Sequence, residues 1–345
     1  MTSSTTKQRD TVQAVPVTIL TGFLGAGKTT LLNRILHGDH GLRIAVLVND
    51  FGAINIDSDL VVGVESGGDV ISLANGCVCC TIRDDLLEAV EQVIDRPEQP
   101  EYIVLEASGV AEPSGIVVTF MNSRLEDRIR LDSIMCLMNA AQIFAVPEMM
   151  ELKLRQIAYS DMLILNKADL VSRDEIGRIK AWLDEYFYRY RLVEARHGEV
   201  PLEILLSAGR FDPAQLDGKQ DHQHNCSEPH CAHQDHAQTF STWSYESDEP
   251  LSLEVLREAT KKLPASIYRC KGVIYSADAP TRRAVLQVVG KRVDITLENE
   301  WGERPPRTQI VAIGAHGTID RVALQERFDA CVVGKPQLCP TDNNL

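Results

Sequence analysis

Eight residues constrain this chain more than any others. Gly22-Phe23-Leu24-Gly25-Ala26-Gly27-Lys28-Thr29 fits the pattern G-x-x-x-x-G-K-[ST], after an apolar, β-branched run at 15–21 and before a helical stretch at 28–36. Small residues let backbone N–H groups turn inward around phosphates at the start of a helix, whose dipole favours anions. Gly22, Gly25, Ala26, Gly27 and Thr30 are expected to line that cradle. Lys28 is expected to reach the β- and γ-phosphates, and the Thr29 hydroxyl to ligate Mg²⁺. A plain glycine-rich turn is the competing reading, and the strand before and helix after speak against it.

The rest of the first half supports an α/β unit. Buried-type strands are expected at 43–49, 102–105, 133–138 and 162–165, separated by helix-like segments, with amphipathic helices at 82–94 and 175–187. Two β-like runs at 60–64 and 70–74 flank a Ser-Gly-Gly turn and read as a hairpin. Apolar strands alternating with helices imply a mainly parallel sheet covered on both faces. The pattern breaks at 212–238, a polar stretch holding five of the nine histidines. It resumes with a strand after Thr239, a helix at 251–262, strands at 267–275, 284–289, 292–297 and 309–313, and a helix at 320–330. The expected organisation is a tail at 1–14, a nucleotide domain at 15–211, a linker at 212–238, a smaller α+β domain at 239–331 and a tail at 332–345.

Two further motifs specify the nucleotide. Asn166-Lys167-Ala168-Asp169 follows the expected strand 162–165, and the Asp169 carboxylate can accept from guanine N1–H and the 2-amino group. Adenine would leave it unsatisfied. Ser207-Ala208 is a candidate for a further base-contacting turn. Glu106-Ala107-Ser108-Gly109 follows the strand 102–105; Glu106 can hold the Mg²⁺ shell and the Gly109 N–H can sense the γ-phosphate. A polar strand end is the competing reading.

Gly76-Cys77-Val78-Cys79-Cys80 is the most unusual local feature. Three thiolates within four residues can converge on one soft ion, and Zn²⁺ accepts such ligands in tetrahedral geometry. The following Thr81-Ile82-Arg83-Asp84 resembles a capping box, which would place the thiols at a helix N-terminus, where thiolates are favoured. Buried structural cysteine is common for one residue and unusual for three together. A second cluster, His222, His224, Cys226, His230, Cys231, His233 and His236, reads either as a polar linker or as a metal-capture tract. Cys136, Cys270 and Cys331 sit in apolar stretches and read as core.

Composition narrows the partners. Acidic residues outnumber Lys and Arg by 49 to 35, a formal charge of −14. Such a field repels nucleic acid and anionic membrane surfaces and suits the handling of cations. No apolar run approaches the ~20 residues of a membrane span, and the polar start lacks the features of a secretory signal. Clustered cysteines point to reduced thiols, so a cytoplasmic location is expected.

Taken in order, Gly-Phe-Leu-Gly-Ala-Gly-Lys-Thr-Thr, Asn49-Asp50-Phe51-Gly52, Gly-Cys-Val-Cys-Cys, Glu-Ala-Ser-Gly and Asn-Lys-Ala-Asp resemble the metal-handling P-loop GTPases related to CobW, HypB and UreG, and within them the CobW-like group. Arg269-Cys270-Lys271-Gly272, Gln287-Val288-Val289-Gly290 and Trp301 resemble that group's C-terminal domain. The resemblance implies a P-loop GTPase that binds GTP, GDP, Mg²⁺ and Zn²⁺ (Co²⁺ as an alternative) and delivers metal to a client protein docked on the C-terminal domain. Nucleotide-dependent homodimerisation is a further possibility. Two positions depart from the family pattern: Asp50, a candidate fourth metal ligand, replaces Glu, and Asn139 replaces Asp. No glutamine or arginine finger stands out, so slow intrinsic turnover is expected. The competing functions are a metal-buffering or sensing protein with a vestigial GTP site and a cobalt-handling factor for cobalamin synthesis.

Overall fold

A computed structural model of the chain describes residues 14–38, 40–49, 69–73, 81–121, 125, 127–206, 240–302 and 305–334. Seven of the described strands form one parallel sheet: β1 Val15–Thr21, β2 Ile44–Asn49, β3 Asp69–Leu73, β4 Tyr102–Glu106, β5 Ile129–Asn139, β6 Met162–Asn166 and β7 Leu192–Glu194. Their spatial order is β3-β2-β4-β1-β5-β6-β7, and every neighbouring pair runs parallel.

The near-continuous apolar strands follow from burial on both faces, because successive side chains point to opposite sides. On β4, Tyr102 and Val104 join one core with Leu31, Leu32 and Ile35 of helix α1 (Lys28–Leu36). Ile103 and Leu105 join the opposite core with Leu86, Val90 and Val93 of the helix Thr81–Ile94 and Ile116 and Phe120 of the helix Pro113–Met121. On the same side of β5 and β6, Cys136, Met138, Leu163 and Leu165 meet the helices Met150–Tyr159 and Arg173–Tyr186 through Ile157, Ile176, Ile179 and Leu183. The helix Arg173–Tyr186 starts on a capping box: the Glu175 N–H donates to the Ser172 hydroxyl and the Ser172 N–H donates to the Glu175 carboxylate.

Among the described residues β3 pairs in parallel with β2, from Ala45–Asp69 to Asn49–Leu73, and its other edge ends the sheet; residues 60–64, the other strand of the expected hairpin, lie outside the described residues.

The second unit is a five-stranded antiparallel sheet: β8 Phe240–Ser247, β9 Ile267–Tyr275, β10 Arg282–Val289, β11 Arg292–Glu300 and β12 Thr308–Ala315, ordered β11-β10-β9-β12-β8. The helices Leu253–Lys261 and Arg321–Asp329, N-capped by Ser252 and Asp320, contribute to its core. Trp243 and Tyr245 of β8 pack there against Phe328, each 5.5 Å away between ring centroids. Cys136, Cys270 and Cys331 are buried, as expected.

The two units are joined by apolar and ionic contacts. Tyr268 and Val289 of the second unit belong to the same apolar core as α1 and β6. Arg269 lies 3.2 Å from Asp132, both side chains 1% exposed, and Nη1 of Arg269 also donates to the Ile204 carbonyl at 2.8 Å. The Tyr102 hydroxyl donates to Asp132 at 2.6 Å and sits 2.7 Å from the Thr18 hydroxyl. Asp132 occupies a bulge, since β1 pairs Val17 with Leu131 but Thr18 with Ser133. A second pair, Arg292 and Asp161, spans the seam at 3.1 Å. No helix among the described residues is long and apolar enough to cross a membrane.

Candidate functional site

The chain reverses direction across the sheet at β1, which has β4 on one side and β5 on the other. In open α/β sheets the crevice beyond the carboxyl ends of strands at such a point is where ligands bind. The glycine-rich loop leaves β1 there. Gly22 has φ 130°, and a Cβ on it would lie 2.1 Å from the Leu137 carbonyl oxygen, so β5 passes too close for any side chain. Gly27, at φ 98°, is the N-cap of α1, and a Cβ there would meet the Asn166 amide at 2.4 Å. Both positions require glycine for shape and approach.

Lys28 and Thr29 open α1. Lys28 is buried and its Nζ donates to the Gly22 carbonyl at 2.9 Å, which holds the ammonium over the loop. The Thr29 hydroxyl donates to Oε1 of Glu106 at 3.2 Å. Glu106 ends β4 and is buried. A hydroxyl and a carboxylate brought together beside a phosphate cradle form a hard-oxygen donor set, which fits Mg²⁺.

The segment Asn166–Asp169, expected to recognise the base, begins at the end of β6 next to this loop. Asn166 is buried and spends its side chain on architecture: Nδ2 donates to the Ala26 carbonyl at 2.9 Å, and Oδ1 accepts from the Gly198 N–H at 3.0 Å. Lys167 turns the chain in the left-handed region, φ 61°, and Asp169 follows exposed in a short 3₁₀ turn. Ser207 lies outside the described residues. The turn that stands against this motif is 195–198, where the Ala168 N–H donates to the Ala195 carbonyl at 3.1 Å. Sequence reasoning missed it because β7 is only three residues long. The signal available was His197-Gly198, which take φ 48° and 69°.

Asn139 ends β5 and reaches the glycine-rich loop. Its Nδ2 donates to the Gly25 carbonyl at 3.2 Å and to Gln142 Oε1 at 3.1 Å. An aspartate there would lack the donor and set a charge against a carbonyl oxygen. Lys153 supports the same loop from below, 4.8 Å over the Phe23 ring, while donating to the Ile143 and Ala145 carbonyls. Burial holds its pKa below that of an ordinary lysine, with Glu148 pulling the other way. Around these groups lies a cavity of about 50 Å³ lined by Phe23, Leu24, Met138, Asn139, Lys153 and Gln156.

Of the expected site residues, the structure brings together Gly22, Gly25, Ala26, Gly27, Lys28, Thr29, Glu106, Gly109 and Asn166, and Thr30, Lys167 and Asp169 adjoin them in sequence. Cys77, Cys79, Cys80, Asp50 and the cluster from His222 to His236 lie outside the described residues. Among the described residues no group of three or more His, Cys, Asp or Glu is placed to hold a metal ion.

Comparison with known proteins matches the chain to a family. Residues 16–193 match the family described as CobW/HypB/UreG, nucleotide-binding domain. Residues 240–332 match the Cobalamin synthesis protein cobW C-terminal domain. The chain is 32% identical over 349 residues to the zinc chaperone CobW of Pseudomonas aeruginosa, covering 92% of each. It is 29% identical over 366 residues to the zinc chaperone CobW of a Sinorhizobium species, covering 92% of this chain and 97% of that one. It is 31% identical over 281 residues to zinc-regulated GTPase metalloprotein activator 1 of Schizosaccharomyces pombe, covering 75% of this chain and 68% of that one. With both halves matched in order, the chain belongs to the CobW/HypB/UreG family of nucleotide-binding proteins and carries the CobW C-terminal domain.

Proposed function

We propose that this protein hydrolyses GTP and uses that cycle to take up zinc, or a similar divalent transition metal, and hand it to a client metalloprotein in the cytoplasm. The observation that carries the reading is the convergence of the glycine-rich loop, Glu106 and Asn166 at one edge of the parallel sheet. The names of its relatives, zinc chaperone and zinc-regulated GTPase metalloprotein activator, support the metal half.

The residues divide the work as follows. Backbone N–H groups of 22–29 and the Lys28 ammonium receive the β- and γ-phosphates, and Asp169 accepts from the guanine edge. Thr29 and Glu106 would hold Mg²⁺, which would supply positive charge against the negative charge that develops on the phosphates in transfer. The 195–198 turn closes the base side by its bonds to the Asn166 segment. Turnover without metal or client is slow, on the expectation that the chain carries no glutamine or arginine finger of its own.

Zinc enters as cargo. Cys77, Cys79 and Cys80, with Asp50 as a candidate fourth ligand, lie in sequence between β2 and the helix Thr81–Ile94, so metal affinity can be linked to nucleotide state. The tract from His222 to His236 falls between the two family matches and is a candidate for metal capture. The client docks on the C-terminal domain, and a nucleotide-dependent homodimer is compatible with the arrangement.

The test is GTP hydrolysis by metal-free protein, with and without one equivalent of Zn²⁺, beside a Cys77→Ser/Cys79→Ser/Cys80→Ser variant. A zinc response that the variant loses is the expected outcome. Equal rates in all four samples would uncouple the cysteines from the nucleotide site and leave a metal buffer with a vestigial GTPase.

A further inference from the structure

The helix Met150–Tyr159 carries none of the nucleotide motifs, yet it grips two of the segments that form the nucleotide site. Gln156, on this helix, is 1% exposed. Its Nε2 donates to the Gly109 carbonyl at 3.1 Å and to the Ala111 carbonyl at 3.0 Å. Both amide hydrogens are committed to one stretch of backbone. That stretch is the turn after β4, closed by the Ala111 N–H donating to the Ser108 carbonyl at 3.0 Å.

The turn lies directly on the phosphate loop. A Cβ on Gly109 would fall 2.9 Å from the Leu24 nitrogen and 2.6 Å from Leu24 Cδ2. Lys153, three residues before Gln156 and so on the same helix face, sits over the ring of Phe23, the neighbouring loop residue. Arg155 adds an exposed tether to Glu112 at 2.6 Å. One helix therefore fixes the outer wall of the phosphate loop at one point and the turn after β4 at another.

We infer that Gln156 is a positioning residue that sets the 108–111 turn for the γ-phosphate, and so lets the site discriminate GTP from GDP. The inference rests on the GTPase reading of the site and deepens it. Gln156 touches no nucleotide and acts through the two carbonyls it holds. A turn that must meet a γ-phosphate has to be ordered when the triphosphate binds. With the turn already cinched, that cost is small; without Gln156, it falls on the triphosphate complex alone, because GDP offers the turn nothing to meet. A glutamine that merely satisfies the core would affect stability and leave the ratio of the two affinities unchanged.

The experiment uses the full chain with Mg²⁺ and compares wild type with Gln156→Met, which keeps length and loses the donor. Affinities are measured for GDP and for a non-hydrolysable GTP analogue, with GTP turnover alongside. The expected result is about a tenfold loss for the analogue, GDP within about twofold, and a parallel fall in kcat. Equal losses for both nucleotides, or no loss for either, would overturn the inference while leaving the GTPase reading intact. Wild-type protein that binds neither nucleotide would overturn that reading and this inference with it. If Gln156→Met does not fold, Gln156→Asn, which keeps the amide and shortens its reach, replaces it in the same comparison: a loss confined to the analogue supports the inference, and equal or no losses overturn it.

Discussion

The two sheets solve burial in opposite ways. In the parallel sheet every residue of β4 and β6 is buried, helices cover both faces, and polar side chains surface at the strand ends. In the antiparallel sheet, β9 is buried at its start and then alternates, and every described residue of the edge strand β11 is at least partly exposed. A sheet closed on both faces can concentrate chemistry only along its carboxyl edge, which is where Lys28, Glu106 and Asn166 gather. A sheet with an open face has side chains to offer along its length. The first architecture suits a buried reaction site; the second leaves the side chains of β11 exposed along the strand.

The sharpest way to break that contrast is at the seam, where the units share a buried ion pair. Arg269→Ala removes the buried cation from Asp132, leaving it only the Tyr102 hydroxyl and Arg130 at 3.5 Å, and should cost about 3–5 kcal/mol in chemical denaturation. Pairing Asp132→Leu with Arg269→Met should recover most of that loss, since an apolar pair replaces an ionic one. Failure to recover would mean that the network through Tyr102 and Thr18 carries specificity beyond charge neutralisation. Next in size is the contrast between the sheets themselves. Leu105→Ala on β4 should cost about 2–5 kcal/mol, whereas Leu297→Ala on β11, 41% exposed, should stay within about 0.5 kcal/mol. Comparable losses would show that the open face of the second sheet is covered in solution. The smallest effect concerns one thiol in each unit. Burial pushes the thiols of Cys136 and Cys270 up to about 12, with Lys28 and Arg191 respectively pulling down. Thiolate is scarce well below that value, so native-state alkylation of both cysteines should remain negligible between pH 7 and 9. Labelling of Cys270 but not Cys136 would mark the second unit as the one that opens more readily.

Much of this arrangement was legible in the sequence where the chemistry is contiguous. Residues 22–29 need neighbouring small residues to turn a backbone around phosphates, so loop, strand and helix can be read together. The sequence Asn166 to Asp169 is equally local. What escaped reading depends on residues far apart in the chain. Gln156 reaches a turn 45 positions earlier, and Arg269 meets an aspartate 137 positions away. Gln156 belongs to no local pattern, and the motif Arg269–Gly272 does not reveal the partner of its arginine, since a glutamine or arginine looks the same in sequence whether it faces solvent, a carbonyl or a carboxylate. The parallel pairing of β3 with β2 also escaped, because it joins runs about 25 positions apart and only the sheet shows it. The turn at 195–198 was hidden by the shortness of the strand that delivers it.

The central place of β1 has a consequence for synthesis. Its residues are complete by Thr21, but its flanking strands end at Glu106 and Asn139. At ~5–20 residues per second, the ribosome takes on the order of ten seconds to supply both neighbours. Until Glu106 is made, the nascent chain holds a β-rich segment, VPVTILT, with neither neighbour available, and its β5-facing edge waits until Asn139. The strand that later delivers the phosphate loop is thus, during translation, a segment exposed to premature association.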